Sequence, residues 1–225
     1  MMLKYWSRGI VLALFILLVF NSTYSQAISD SSAVVWVLIE KAKIEPDSSN
    51  PKDHAQIMRQ HMDYLSKIHS EKRMLASISF QGGGGLMFFK SSTDSIKNWM
   101  KKDPAIQNNL FTLTYLTWIP EKGNICQTDK NSKLGNVNVT FISFSSPKDP
   151  AMREKIAKKK NKLLTELKNS EQTMCLGKMN ENNTYAVISA NSSVDKEASE
   201  VSKTIADGIM KDAYKAWAPL AAFCE

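Results

Sequence analysis

The chain has 225 residues, of which 43% are hydrophobic and 23% are charged, and its formal net charge is +7. These fractions are those of a globular protein, so they exclude a collagen-like, a wholly disordered or a disulfide-dense chain. At about 150 residues per domain, the length allows one large domain or two small ones. Composition bounds the class of protein but indicates no activity.

Residues 1–25 are predicted to be a secretory signal peptide. Lys4 and Arg8 precede an apolar run over residues 10–20, and small polar residues follow it. The run is too short to cross a bilayer, which takes about 20 residues. Cleavage after Ser25 would export the mature chain, periplasmic or secreted, with a net charge of +5 and no integral membrane anchor. An uncleaved anchor is the alternative.

The positive charge is concentrated in residues 151–168, which contain seven lysines and arginines. Such a run is expected to form the solvated face of a helix. The segment has no aromatic residue on which a base could stack, so nucleic acid is not an expected partner. A weak attraction to anionic lipid or polysaccharide is the alternative.

The chain contains three cysteines, Cys126, Cys175 and Cys224. If export allows one disulfide to form, one thiol remains unpaired. Their pairing is open at this point. No CxxC spacing occurs, so neither a thiol-redox site nor a zinc site is indicated.

Four short segments recur in order at offsets of 98 to 101 residues, which predicts a tandem duplication. Among the matched pairs are Trp118 with Trp217 and Cys126 with Cys224. The predicted domains are the two halves, residues 33–122 and 136–225, with a polar, turn-rich linker at 123–135.

In the first half, an apolar β-branched run predicts a strand at 33–40, and helical spacing of apolar residues predicts a helix at 54–72. Two strands follow at 74–80 and 85–90, joined by the glycine run that begins at Gly82. A second helix is predicted from Ser95, with Asp94 as its N-cap, and a strand at 111–118. The second half repeats the order, with strands at 138–144, 173–178, 184–190 and 214–223 and helices at 150–168 and 196–211.

The order β-α-β-β-α-β is that of a ferredoxin-like split βαβ unit, with a four-stranded antiparallel sheet and both helices on one face. The other face of each sheet would be apolar and exposed. The predicted fold class is therefore α+β, with two ferredoxin-like units whose sheets pack face to face as a pseudo-dimeric α/β barrel.

Three segments of the first half carry a family resemblance: the helix at 57–68, the glycine hairpin at 82–89 and the run at 101–111. On these segments the first half resembles a YCII-related domain, which implies a dimeric α/β barrel. His61 and Asp103 occupy the places of the family's histidine and aspartate. Lys160 stands where the second half would repeat His61, so at most one pocket carries the pair. Many family members lack an assigned reaction.

A histidine beside a carboxylate can transfer protons, because imidazole titrates near neutrality and the carboxylate fixes its tautomer. The candidate catalytic residues are therefore His61, as the base, and Asp103, as the group that orients it. A hydrogen-bonded histidine at a helix–sheet boundary is the structural alternative.

No metal and no cofactor is predicted. His54 and His61 lie about 10 Å apart along a helix, too far for a shared ion. The glycines from Gly82 lack the Gly-Lys-Ser/Thr of a phosphate loop and precede a strand, not a helix.

Three functional hypotheses follow. The first is binding of a small-molecule ligand in the cleft between the first helix and the sheet of the first half. The second is a cofactor-free isomerase, lyase or hydrolase that uses His61 and Asp103. The third is a structural or interaction protein with a vestigial pocket. Self-association is compatible with each of them.

Overall fold

The computed structural model describes residues 33–42, 51–129, 131–180, 183–190 and 208–225. These residues belong to one compact unit, Ser32–Glu225. The predicted signal peptide at 1–25 and most of the predicted helix at 196–211 lie outside the described residues. Within these ranges, no helix combines the length and the apolar character needed to span a bilayer.

The described elements follow one another mostly as the apolar patterns predict, with ends shifted by a few residues. The last long strand differs most: it begins at Ile209, where a helix was predicted, and ends at Pro219. In chain order the elements are β1 (Val34–Lys41), α1 (Pro51–Ser70), β2 (Ala76–Phe80), β3 (Gly85–Phe89), α2 (Thr93–Met100), α3 (Pro104–Gln107), β4 (Phe111–Lys122), β5 (Asn124–Ile125), β6 (Leu134–Phe144), α4 (Pro150–Asn169), β7 (Thr173–Met179), β8 (Thr184–Ala190), β9 (Ile209–Pro219), a 3₁₀ turn (Leu220–Ala222) and β10 (Phe223–Cys224).

Eight of these strands form one closed antiparallel barrel in the order β1-β3-β2-β9-β6-β8-β7-β4. The prediction of two ferredoxin-like units packed face to face as a pseudo-dimeric α/β barrel is therefore wrong. β2 hydrogen-bonds to β9, and β4 hydrogen-bonds to β7, so the strand edges meet and the sheet closes on itself. Closure pairs the backbone groups that a sheet edge would leave open.

The two halves of the chain contribute four strands each, in the same relative order. In the barrel the first half supplies β4-β1-β3-β2 and the second supplies β9-β6-β8-β7. A duplicated chain would produce this order, although the duplication itself stays a prediction from the sequence.

Successive side chains of a strand point to opposite faces of the sheet, so they contribute alternately to an inner and an outer core. On β1, Val34 and Trp36 belong to the inner core, whereas Val35 and Val37 belong to the outer core under α1 and α2. A third cluster, which includes Ile156 and Leu164 of α4, covers the outside of the second half. The barrel is thus filled by side chains and is flanked by helices on its outside.

The short helices begin at side-chain caps. Ser92 accepts a hydrogen bond from Ser95 N–H and is the N-cap of α2, so the prediction of Asp94 at that position is wrong. Asp94 lies in the first helical turn, where its charge still favours the helix dipole. Asp103 is the N-cap of α3 and accepts from Ala105 N–H at 2.8 Å.

One end of the barrel is closed by β5, the 3₁₀ turn and β10, which we call the plug. β5 and β10 pair antiparallel, and the Cys126–Cys224 disulfide joins the ends of the two strands. Ile125 and Ala222 of the plug are buried in the inner core. We call this the lower end; β1 begins there and runs toward the upper end.

Candidate functional site

The structure brings His61 and Asp103 together. α1 presents His61, and the N-cap position of α3 presents Asp103, so that His61 Nδ1 lies 2.9 and 2.8 Å from the two carboxylate oxygens. His61 is 5% exposed and Asp103 is fully buried. The ring of Phe111 packs beside the imidazole, with 5.4 Å between the ring centroids.

Asp103 links α1 to the start of α3, because it binds both His61 and Ala105 N–H. These hydrogen bonds give Asp103 a role in stabilising the fold that does not depend on catalysis. The pair lines neither of the cavities described below, and its catalytic role stays a prediction.

A cavity of about 340 Å³ lies on the outside of the barrel, near the C-terminal end of α1. α1 lines it with Met62, Leu65, Ser66 and His69, which share one helix face by their spacing. We call this cavity the α1 groove. Its other lining residues come from β2 and the residues just before it, the segment between β5 and β6, the start of β6 and the end of β9: Met74, Ser77, Thr128, Asp129, Ser132, Leu134 and Pro219.

The wall opposite α1 is the segment after Cys126, and hydrogen bonds fix it in place. Thr128 N–H and Thr128 Oγ1 both donate to Leu75 O, at 3.0 and 3.2 Å. Gln127 Nε2 donates to Met74 O at 3.0 Å. The disulfide anchors the start of the segment to the C-terminal strand. The groove is therefore preformed, since hydrogen bonds within the protein hold its wall in place.

His69 joins the two walls of the groove. Its Nε2 lies 3.0 Å from Thr128 Oγ1. Because the Thr128 hydroxyl donates its single hydrogen to Leu75 O, His69 Nε2–H donates to that hydroxyl. In the neutral imidazole, Nδ1 is then a hydrogen-bond acceptor.

The groove combines apolar surface with polar groups. Met62 and Leu134 are 59% and 63% exposed, which is unusual for large apolar side chains that lie near each other. Sequence reasoning placed a cleft beside the first helix but missed His69 and Thr128. The helical spacing of Met62, Leu65, Ser66 and His69 was the signal that could have indicated this face.

The second half has no counterpart of the His61–Asp103 pair. Lys160 Nζ donates to Asn183 Oδ1 at 2.5 Å and lies over the rings of Phe144 and Tyr185. Burial, followed by the charge of Lys178, lowers the pKa of the Lys160 ammonium. A separate cavity of about 460 Å³ lies nearby, lined mainly by the ends of β6 and β9.

The matched tryptophans of the two halves differ in their surroundings. Trp118 is fully buried in the inner core, whereas Trp217 is 49% exposed on the outside of the barrel. The match between the two positions in the sequence therefore does not give the two side chains the same surroundings. Among the described residues, no cluster of three or more histidine, cysteine or acidic side chains could hold a metal ion.

Comparisons with known proteins identify no family for the chain. No protein-family model and no curated protein matches it. Among solved structures, the chain is similar to the crystal structure of a "Putative monooxygenase" from Fusobacterium nucleatum subsp. nucleatum, at 12% sequence identity and a TM-score of 0.44. The match covers 84% of this chain and 93% of the other. So low a structural similarity carries no argument about function.

The resemblance to YCII-related domains is corrected by these findings. No family model supports it, and the closed barrel of eight antiparallel strands replaces the fold that it implied.

Proposed function

We propose that this protein binds a small organic molecule in the α1 groove after export from the cytoplasm. The observation that carries the proposal is the groove itself: a cavity of about 340 Å³ with an apolar floor and several convergent polar groups. Cavities of this size and mixed lining are the usual sites of small ligands.

The chemistry of the lining indicates the class of ligand. Leu65 and Met74 supply buried apolar surface, and His69 supplies an imidazole held by Thr128. Asp129 adds a carboxylate at the open side. A molecule with an apolar body and hydrogen-bond donors at one end fits this arrangement, since His69 and Asp129 supply acceptors from the two walls of the groove.

The disulfide supports the export part of the proposal. Disulfides form and persist in oxidising compartments and are rare in the cytosol. The thiols of Cys126 and Cys224 are paired, and Cys175 is buried.

A tryptophan placed in the groove should weaken ligand binding. Ser77 lines the groove, and Ser79 lies on the same exposed face of β2 outside it. We expect Ser77→Trp to weaken binding of the uncharged fluorescent probe N-phenyl-1-naphthylamine at least about tenfold, because the indole fills the cavity. Ser79→Trp is the matched control and should leave the affinity unchanged. Fluorescence titration of the mature protein measures both.

Equal binding of the probe by the Ser77→Trp and Ser79→Trp variants would place its site elsewhere and refute the proposal. Absence of probe binding by the unsubstituted protein would refute it as well.

Proton-transfer catalysis by His61 and Asp103 is the second candidate. The observation in its favour is the contact of His61 Nδ1 with both oxygens of a buried carboxylate. This arrangement holds the imidazole in the tautomer whose Nε2 can accept a proton.

Turnover of small acids and esters by the mature protein tests this candidate. We expect His61→Asn to reduce any such turnover by about 10²-fold or more. The rate of the His61→Asn variant must be measured under conditions in which circular dichroism shows that the variant is folded. Turnover that survives the substitution would exclude His61 as the base.

A further inference from the structure

The plug and the α1 groove share two segments of the chain. Thr128 lines the groove and follows Cys126 of the plug by two residues. Pro219 also lines the groove and precedes Cys224 by five residues. The Cys126–Cys224 disulfide therefore joins the two segments that run from the groove into the plug.

The position of the first segment depends on the plug. Cys126 N–H donates to Ala222 O at 2.8 Å, and Ala222 is fully buried in the inner core. The hydrogen bonds between Thr128 and Leu75 O follow two residues later along the chain. The contact that fixes Cys126 therefore also fixes the point from which the groove wall begins.

The second segment packs directly against the edge of the groove. Pro219 pairs with Leu134 at the start of β6, and Leu220 N–H donates to Lys133 O at 3.0 Å. A methyl group at Gly135 would lie only 2.8 Å from the Leu220 side chain, so the 3₁₀ turn lies tightly against this strand. The plug thus supports both Pro219 and Leu134, which line the groove.

One hydrogen bond crosses the groove. It runs from His69 Nε2 on α1 to Thr128 Oγ1 on the opposite wall, over 3.0 Å. The distance between the two walls is therefore set by the position of Thr128. A displacement of the segment after Cys126 would break this bond and change the width of the groove.

A reductant can reach the disulfide, because Cys126 and Cys224 are both partly exposed. The thiolate of a dithiol attacks one protein sulfur to form a mixed disulfide, and its second thiol then displaces that sulfur. The protein gains two electrons and two protons as two thiols, and the dithiol becomes a cyclic disulfide. Cys175 takes no part, because it is buried and its thiol donates to Asn124 O at 3.3 Å.

We propose that the Cys126–Cys224 disulfide is a redox switch for the α1 groove, which binds its ligand tightly while the disulfide is closed and weakly after reduction. This inference rests on the proposed binding function. A ligand that meets the reduced protein must order the two segments as it binds, and that entropic cost lowers the affinity. The switch would confine tight binding to an oxidising compartment.

Fluorescence titration with N-phenyl-1-naphthylamine tests the switch. Reduction of the native protein with dithiothreitol should lower its affinity for the probe roughly tenfold. The variant Cys126→Ser/Cys224→Ser should bind as weakly as the reduced protein and should not respond to dithiothreitol. Cys175→Ser is the matched control, and it should keep both the native affinity and the response to the reductant. Circular dichroism shows whether each form is folded during the titration.

A variant with a closed disulfide tests whether the position of the wall sets the affinity, even if the reduced protein does not stay folded. Thr128→Val removes the hydroxyl that binds His69 and Leu75 O and should lower the probe affinity about fivefold. Thr112→Val, a matched change at an exposed position of β4 outside the groove, should leave the affinity unchanged.

The coupling must also act in the opposite direction. If closure of the disulfide raises the affinity for the probe, bound probe must make the disulfide harder to reduce by the same factor. At saturating probe, the ratio of reduced to oxidised dithiothreitol that opens half of the disulfides should therefore rise roughly tenfold.

The outcomes separate the switch from the binding function. Absence of probe binding by the oxidised native protein would refute the proposed function and the switch together. Undiminished affinity in the reduced, folded protein would refute the switch alone, as would native affinity in the Thr128→Val variant. In both of these cases the α1 groove would remain a binding site.

Discussion

Removal of the Cys126–Cys224 disulfide is expected to lower the free energy of unfolding by about 4 kcal/mol. The two cysteines are 98 residues apart in sequence, and a cross-link that closes so long a loop greatly restricts the unfolded chain. The bond also holds the plug, because Cys126 N–H donates to Ala222 O at 2.8 Å and Ala222 is buried. Denaturant unfolding of Cys126→Ser/Cys224→Ser against the native protein measures the loss.

Reduction of the disulfide in the native protein provides a control for this prediction. Dithiothreitol should destabilise the native protein and leave the double variant unaffected. Native reduced protein should react with iodoacetamide at two thiols and not at Cys175. Burial raises the pKa of that thiol to about 12 and removes the thiolate that would react. A stability loss below about 1 kcal/mol would contradict the role assigned to the bond.

Substitution of Asp103 by alanine is expected to cost about 3–5 kcal/mol of folding free energy. The carboxylate is fully buried and binds both His61 Nδ1 and Ala105 N–H. Its loss leaves the buried imidazole of His61 without its hydrogen-bond partner and leaves the N-terminus of α3 without its capping side chain. Denaturant unfolding of Asp103→Ala provides the measurement.

Two further variants sharpen this test. Asp103→Asn should cost less than Asp103→Ala, because the amide oxygen can still accept a hydrogen bond at the N-cap. Asp94→Ala, at the exposed position that is not a cap, should cost less than about 1 kcal/mol. If the alanine variants at positions 94 and 103 proved equally stable, Asp103 would not link α1 to α3.

The strands could be predicted from the sequence because their side chains alternate or run apolar over short stretches. The start of β9 could not, since residues 209–211 are strand only through pairing with the end of β6. A strand whose residues are half exposed carries a weak local signal, and the partner strand decides its length.

The site could be predicted only in part. The cleft was predicted between the first helix and the sheet of the first half, with His61 and Asp103 as its residues, and these two residues lie in contact. Neither residue lines the α1 groove, however, whereas His69 and Thr128 do. These two residues are 59 positions apart, and no local pattern indicates that the segment after Cys126 folds back onto α1.

The amino-acid sequence by itself determined the positions of most strands and helices, because the periods of apolar residues follow from the geometry of these elements. Only the tertiary structure decided that β2 pairs with β9 and β4 with β7, which closes one barrel instead of leaving two facing sheets. The reason is physical: alternation specifies the face on which a side chain lies, while the choice of neighbouring strand is made by hydrogen bonds between distant backbone groups. The α1 groove depends on that choice, since Ser77 of β2 and Pro219 of β9 both line it.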